Sequence, residues 1–208
     1  MPIEEDILIF DLDGTLFDSA PQIITCFKKA IKKNNIEIQK EISELIIGPP
    51  IKDTLEILIQ SKDHDKIDLI INDFIELYDH KYCYETKLYD DVKETLEKLY
   101  KKKKMILITN KRLSPTSKML KNADIVKFFD NYFSVDQNDP TIKNKTFLIS
   151  NTIKSLGIQS DSAMYIGDTN GDHVASKKNN IKFAYASWGY GKCDDHPDYY
   201  LDNITELI

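Results

Sequence analysis

Ile7-Leu-Ile-Phe-Asp11-Leu-Asp13-Gly-Thr-Leu-Phe-Asp-Ser19 is the stretch from which the fold can be read. Ile7 to Phe10 is a short apolar run that stops on Asp11, Asp13 and Gly14. Such a run, bounded by a turn signal, predicts a buried strand. One aspartate at its end would serve as a helix cap. Two at i and i+2 lie on the same side of an extended chain and converge on one point. Like charges so placed raise each other's pKa unless a cation sits between them. The stretch therefore predicts a strand that delivers two carboxylates to a metal.

Outward from this strand the texture is helical as far as about residue 87. Ile23, Ile24, Phe27, Ala30 and Ile31 keep helical spacing, and Asn34-Asn35 closes that helix. A weaker pattern covers Glu41 to Ile47 and ends at Gly48-Pro49-Pro50. Ile51 to Gln60 and His64 to Tyr84 read as amphipathic helices. Together they are long enough for a small four-helix unit. Beyond Tyr89 helices alternate with strands. Helices are expected over Asp90–Tyr100, from the Ser114-Pro115 start, and over Asn144–Leu156 and Asn170–Asn180. Strands are expected at Lys104–Thr109, around Tyr132–Ser134, at Ala163–Gly167 and at Lys182–Ser187. That alternation predicts an α/β, Rossmann-like, doubly wound parallel sheet. The expected division is a core of 1–17 and 88–208 with an inserted helical domain of 18–87.

In an open parallel sheet, ligands gather at the carboxyl ends of the strands. Three such ends carry chemistry: Asp11 and Asp13; Thr109, Asn110 and Lys111; and Gly167-Asp168-Thr-Asn-Gly-Asp172. Singly, Asp168 reads as a cap and Asp172 as an acid on a helix dipole. Four aspartates on one sheet edge would repel severely without a cation. An all-oxygen set points to Mg²⁺, with Asp11, Asp13, Asp168 and Asp172 as candidate ligands. Lys145 or Lys143 would balance the charge.

The bulk numbers exclude other classes. The chain has 208 residues and a net charge of −6, which gives nucleic-acid binding no electrostatic support. Lys101 to Lys104 reads as a solvated helix end, and Arg112 is the one arginine. The three scattered cysteines suit a reducing compartment. The N-terminus is acidic and no apolar run approaches the ~20 residues of a membrane span. A cytoplasmic protein without membrane partners, monomeric or weakly homodimeric, is expected.

These motifs resemble the haloacid dehalogenase superfamily. Asp11-Leu-Asp-Gly-Thr-Leu is similar to its first signature, Ile108-Thr-Asn-Lys111 to its second and Ile166-Gly-Asp-Thr-Asn-Gly-Asp172 to its fourth. Lys145 aligns best with the lone lysine of the third. The insertion after the first signature resembles the family's four-helix cap. Ile47-Gly-Pro-Pro-Ile51 and Ser187-Trp-Gly-Tyr-Gly191 resemble segments of the phosphoglycolate-phosphatase-like branch.

The resemblance implies a Mg²⁺-dependent phosphatase acting on a small phosphomonoester through an aspartyl-phosphate. It implies Asp11 as nucleophile, Asp13 as general acid and base, the Asp11 carboxylate, the Asp13 carbonyl and Asp168 on the metal, Thr109 and Lys145 on the phosphoryl group, and Asp172 on Lys145 or a metal-bound water. For Gly14 a sharp turn is expected, bringing backbone amides to the phosphate. Candidate substrate contacts are Gly14, Asn110, Lys111, Gly48, Pro49 and the rest of the stretch to Ile51, Lys52, and the face of the first helix around Ser19 and Gln22. Asp13 argues against a dehalogenase. No histidine lies between residues 14 and 63, which disfavours a mutase. A 5′-nucleotidase or pyrophosphatase of the same fold is the alternative. A phospho-receiver signalling domain is the non-enzyme alternative, disfavoured by the helical insertion and the Gly-Asp-x-x-x-Asp cluster.

Overall fold

A computed structural model describes residues 3–43, 47–49, 51–136, 144–193 and 196–208. Its centre is a six-stranded, all-parallel sheet. The strands are β1 (Ile7–Phe10), β4 (Lys104–Thr109), β5 (Asn131–Ser134), β6 (Ala163–Gly167), β7 (Lys182–Ala186) and β8 (Tyr199–Leu201), in the order β5-β4-β1-β6-β7-β8. β1 is central, flanked by β4 and β6, with Phe10 in register with Leu107 and Ile166. Its side chains alternate between two apolar layers. Leu8 and Phe10 join one cluster and Ile9 the other, all fully buried. A strand buried on both faces must be apolar throughout, hence Ile-Leu-Ile-Phe.

Two short strands, β2 (Phe17–Asp18) and β3 (Lys87–Leu88), pair antiparallel, Phe17 with Leu88 and Asp18 with Lys87. The chain therefore leaves the sheet and returns to it side by side. The helices between them are α1 (Ala20–Lys33), α2 (Ile51–Ile59) and α3 (His64–Leu77). A π-turn (Tyr78–Tyr82) carries α3 into α4 (Cys83–Glu85). The sheet is flanked by α5 (Val92–Leu99), α6 (Leu113–Asn122), α7 (Lys145–Ser155) and α8 (Asn170–Lys178).

Three local expectations are revised. Residues 41–43 are not helical, and 44–46 lie outside the described residues, so the helix expected over Glu41–Ile47 is not found where it can be seen. Ser114 does not cap α6. That helix begins at Leu113, whose amide donates to Asp136 Oδ1 at 2.8 Å. The β2–β3 pair and β8 are additions, each strand being only two or three residues long.

Candidate active site

The carboxyl ends of β1, β4 and β6 open into one cavity of about 850 Å³, lined among others by Asp11, Asp13, Thr109, Lys145, Asp168 and Asp172. Oxygen atoms of Asp11, Asp168 and Asp172 lie within 4.8 Å of one another, all three residues buried. Lys145, at the start of α7, reaches into them. Its Nζ is 2.9 Å from Asp11 Oδ2 and 2.5 Å from Asp172 Oδ1. Lys143 lies outside the described residues.

The three acids are not equivalent. Thr169 caps α8, and Asp172 closes a capping box on it, its Oδ2 accepting from the Thr169 amide at 3.1 Å and hydroxyl at 2.7 Å. With Oδ1 on Lys145, Asp172 is satisfied. Asp11 Oδ1 and Asp168 Oδ1 are buried with no hydrogen-bond partner. Burial raises the Asp11 carboxyl to about 6 against the pull of Lys145. Burial, then the charges of Asp172 and Asp11, raises Asp168 to about 8. Burial opposes the Lys145 charge, but Asp11 and Asp172 outweigh it and hold the ammonium well above its ordinary range. Two buried carboxylate oxygens without a hydrogen-bond partner, in one acidic cluster, make a donor set that fits a cation.

Asp13 departs from the expected convergence. Its side chain turns away from the acidic trio to Lys111, whose Nζ lies 3.0 Å from both carboxylate oxygens. That ammonium also sits 4.4 Å from the centroid of the Tyr78 ring. The chain bends at Leu12, which breaks the extended geometry on which the i, i+2 argument rests. Gly14 has φ +79°, and a Cβ there would stand 2.2 Å from Asp168 Oδ2. Its amide donates to Phe17 O at 3.0 Å rather than facing the cavity. Gly14 thus makes room for Asp168.

Thr109 ends β4 inside the cavity. Its Oγ1 accepts from the Lys111 amide at 3.2 Å, which leaves its hydroxyl proton free for another acceptor. Asn110 donates to Gly48 O at 3.2 Å, joining the sheet edge to the helical insertion. Gly48 and Pro49 line the cavity; Lys52 is exposed and does not. Ser19 is fully buried, and neither it nor Gln22 lines the cavity.

Sequence reasoning gave no site role to three further groups. The Trp188–Gly191 segment grips Asp168. Its Oδ2 accepts from the amides of Tyr190 (2.9 Å) and Gly191 (3.3 Å). A Cβ on Gly189 would lie 2.2 Å from Asp168 Cβ. The alternating glycines were the available signal. Asn170 lines the cavity with an unpartnered Oδ1. Arg112 forms a two-bond pair with Asp79 of the π-turn, at 3.0 and 2.5 Å.

The family model for haloacid dehalogenase-like hydrolases matches residues 8–186, from β1 to the end of β7. The chain belongs to the haloacid dehalogenase-like hydrolases. This hydrolase falls in the phosphoglycolate-phosphatase-like branch and is a phosphatase. It is 28% identical to a phosphoglycolate phosphatase of Aquifex aeolicus, over 97% of this chain and 94% of that one. It is 27% identical to the pyrophosphatase PpaX of Oceanobacillus iheyensis, with the same coverage. Its fold superposes with a TM-score of 0.87 on a haloacid dehalogenase-like family hydrolase of Streptococcus pneumoniae, 25% identical, covering 98% of this chain and 97% of that one. A predicted phosphatase of Clostridium acetobutylicum gives 0.86 at 26% identity, covering 99% and 97%. Among the described residues no helix of this hydrolase is long and apolar enough to cross a membrane.

Proposed function

We propose that this enzyme is a Mg²⁺-dependent phosphatase that hydrolyses a small phosphomonoester through a phosphorylated Asp11. The observation that carries this reading is the pair of buried, unpartnered oxygens, Asp11 Oδ1 and Asp168 Oδ1, near Lys145 on the floor of the cavity. Asp11 and Asp168 would hold the ion. Their donor set is oxygen only, which suits a hard divalent cation. Asp172, with both oxygens occupied, acts by positioning Lys145 rather than as a ligand. When bound, the ion supplies positive charge to the phosphoryl oxygens and cancels the repulsion between the acids.

The chain's own residues then divide the work. Lys145 anchors Asp11 Oδ2 and orients the carboxylate. An oxygen of Asp11 forms a bond to phosphorus as the bond from phosphorus to the ester oxygen breaks. Asp13, as general acid, passes a proton to that departing oxygen. The resulting Asp13 carboxylate next takes a proton from water, the water oxygen bonds to phosphorus, and the bond from phosphorus to Asp11 breaks. Inorganic phosphate leaves, Asp11 is restored and Asp13 again holds a proton. Lys111 holds Asp13 in place through both transfers. Thr109 offers its hydroxyl proton to a phosphoryl oxygen, and Lys145 offsets the charge there.

We assign 18–87 as a cap over a core of 1–17 and 88–208. The β2–β3 pair supports this division, as does Asn110 on Gly48 and Arg112 on Asp79 across the cavity. The scattered free cysteines suit a cytoplasmic setting. Relatives named for phosphoglycolate and for pyrophosphate share the phosphoryl end of their reactions and differ at the leaving group. The test is phosphate release from a panel of phosphomonoesters, with Mg²⁺, with a chelator, and with Asp11→Asn as blank. Release that needs both the metal and Asp11 is expected. No release from any ester, or release undiminished in Asp11→Asn, would overturn the proposal.

A further inference from the structure

The far side of the cavity has a different character from its floor. Ile23 and Phe27 of α1, Ile51 of α2, and Ile71, Phe74 and Ile75 of α3 form its wall. The spacing is i, i+4 on α1 and i, i+3, i+4 on α3, so each helix turns one apolar stripe inward. Tyr78 continues the α3 stripe. The rings of Phe27 and Phe74 lie 4.6 Å apart, and Phe74 stacks on Tyr78 at 5.6 Å with 6° between planes. This row ends on the Lys111 ammonium, 4.4 Å above the Tyr78 ring, which in turn holds Asp13. An aromatic track therefore runs from the cap to the carboxyl that serves the departing oxygen.

Of the cations that line the cavity among the described residues, all but Lys192 are already committed. The cations lining the cavity among the described residues are Lys111, Arg112, Lys145 and Lys192. Lys111 is paired with Asp13, Arg112 with Asp79, and Lys145 with Asp11 and Asp172. Lys192 is exposed, on the loop that leaves Gly191 on the sheet side. The Tyr78 hydroxyl is engaged with Thr86 and Met119, and Gly48 O accepts from Asn110. Among the described residues, a carboxylate or second phosphate placed against this wall would lose water and gain no unpaired cation from it, a cost of several kcal/mol. An apolar body placed here would gain roughly 25 cal/mol for each Å² removed from water. The volume, about 850 Å³, falls in the range that holds drug-sized ligands.

We infer that the alcohol released by this enzyme is uncharged and largely apolar, with an aliphatic or aromatic body lying against the half-buried Ile51, Ile71 and Ile75, which the buried Phe27–Phe74–Tyr78 row backs. The inference rests on the phosphatase reading above and narrows its substrate class. It sets this chain apart from relatives named for phosphoglycolate and pyrophosphate, whose leaving groups are anionic.

The test is kcat/KM for phosphate release, with Mg²⁺, from methyl, propyl, pentyl and phenethyl phosphate, alongside phosphoglycolate, pyrophosphate and adenosine monophosphate. A rise of roughly fourfold per methylene along the alkyl series is expected, the equivalent of full methylene burial. Phenethyl phosphate should exceed each of the other three by more than about tenfold. Ile75→Lys, at a half-buried position, should flatten the alkyl slope and shift preference about tenfold toward phosphoglycolate, with circular dichroism verifying the fold. The wild-type series decides the matter if that variant does not fold. A flat series, or preference for an anionic or nucleoside leaving group, overturns the inference and leaves the phosphatase reading intact. No release from any compound overturns the phosphatase reading, and the inference with it.

Discussion

Asp11 and Asp13 are two residues apart, yet their surroundings assign them to different work. Asp11 is caught between Lys145 and the other acids, and Asp13 is held by Lys111 against Tyr78. Asp11→Asn should lower kcat by more than about 10⁴-fold, read in a phosphate-release assay, because the nucleophile is lost outright. Asp13→Asn should lower it by about 10²–10⁴-fold for an alkyl ester. It should cost much less for an ester whose leaving oxygen needs no proton, a contrast that separates proton transfer from simple positioning. Lys145→Met removes the partner of two buried carboxylates. A loss of about 10²–10³-fold in kcat is expected, together with a lower Tm in chelator that Mg²⁺ partly restores.

At the scale of elements, the parallel strands were legible in the sequence because each is a short apolar run closed by a turn signal. Ile7–Phe10, Lys104–Thr109 and Ala163–Gly167 need no tertiary information to be seen. The strand ends therefore placed Asp11, Thr109 and Asp168 together in advance. The path of each side chain was not legible. That the Asp13 side chain meets Lys111 rather than the acidic cluster follows from the bend at Leu12, and that Asp172 gives one oxygen to Thr169 follows from a capping box inside its own helix. The role of the Trp188–Gly191 loop was hidden for a similar reason. Its glycines matter only because Asp168 comes within a Cβ's reach. Gly189→Ala would force that contact apart, costing about 1–3 kcal/mol of stability and weakening Mg²⁺ binding, measurable by calorimetry. Arg112→Ala strands Asp79, a buried acid of the π-turn, and should destabilise by roughly 2–4 kcal/mol in urea unfolding. Arg112→Lys should rescue this only in part, because an ammonium does not reproduce the two-bond fork.

For the whole molecule, folding without a cation carries an electrostatic cost that depends on pH. Burial and like charges raise the carboxyls of Asp11 and Asp168 from 3.8 to about 6 and about 8. Between pH 4 and 8 the folded chain therefore holds more protons at these sites than the unfolded one, so their contribution to stability falls as pH rises. It is fully present below about pH 4 and lost by about pH 8. The lowered carboxyls of Asp63, Asp73 and Asp124, stabilised by hydrogen bonds and lysine partners, act the other way but only below their ordinary value. Thermal melts in chelator should show a Tm that declines from pH 5 to 8. Millimolar Mg²⁺ should raise Tm, and raise it most at the alkaline end, where no proton competes for the site.

The central claim, that Asp11 itself carries the phosphoryl group, is tested most directly by acid-quenching the enzyme during turnover with Mg²⁺ and mapping the modified peptide by mass spectrometry. One phosphoryl group on Asp11, absent in chelator and absent in Asp11→Asn, is the predicted result. Steady turnover with Asp11 unmodified at every quench time, or with the phosphoryl group on another residue, would contradict the account.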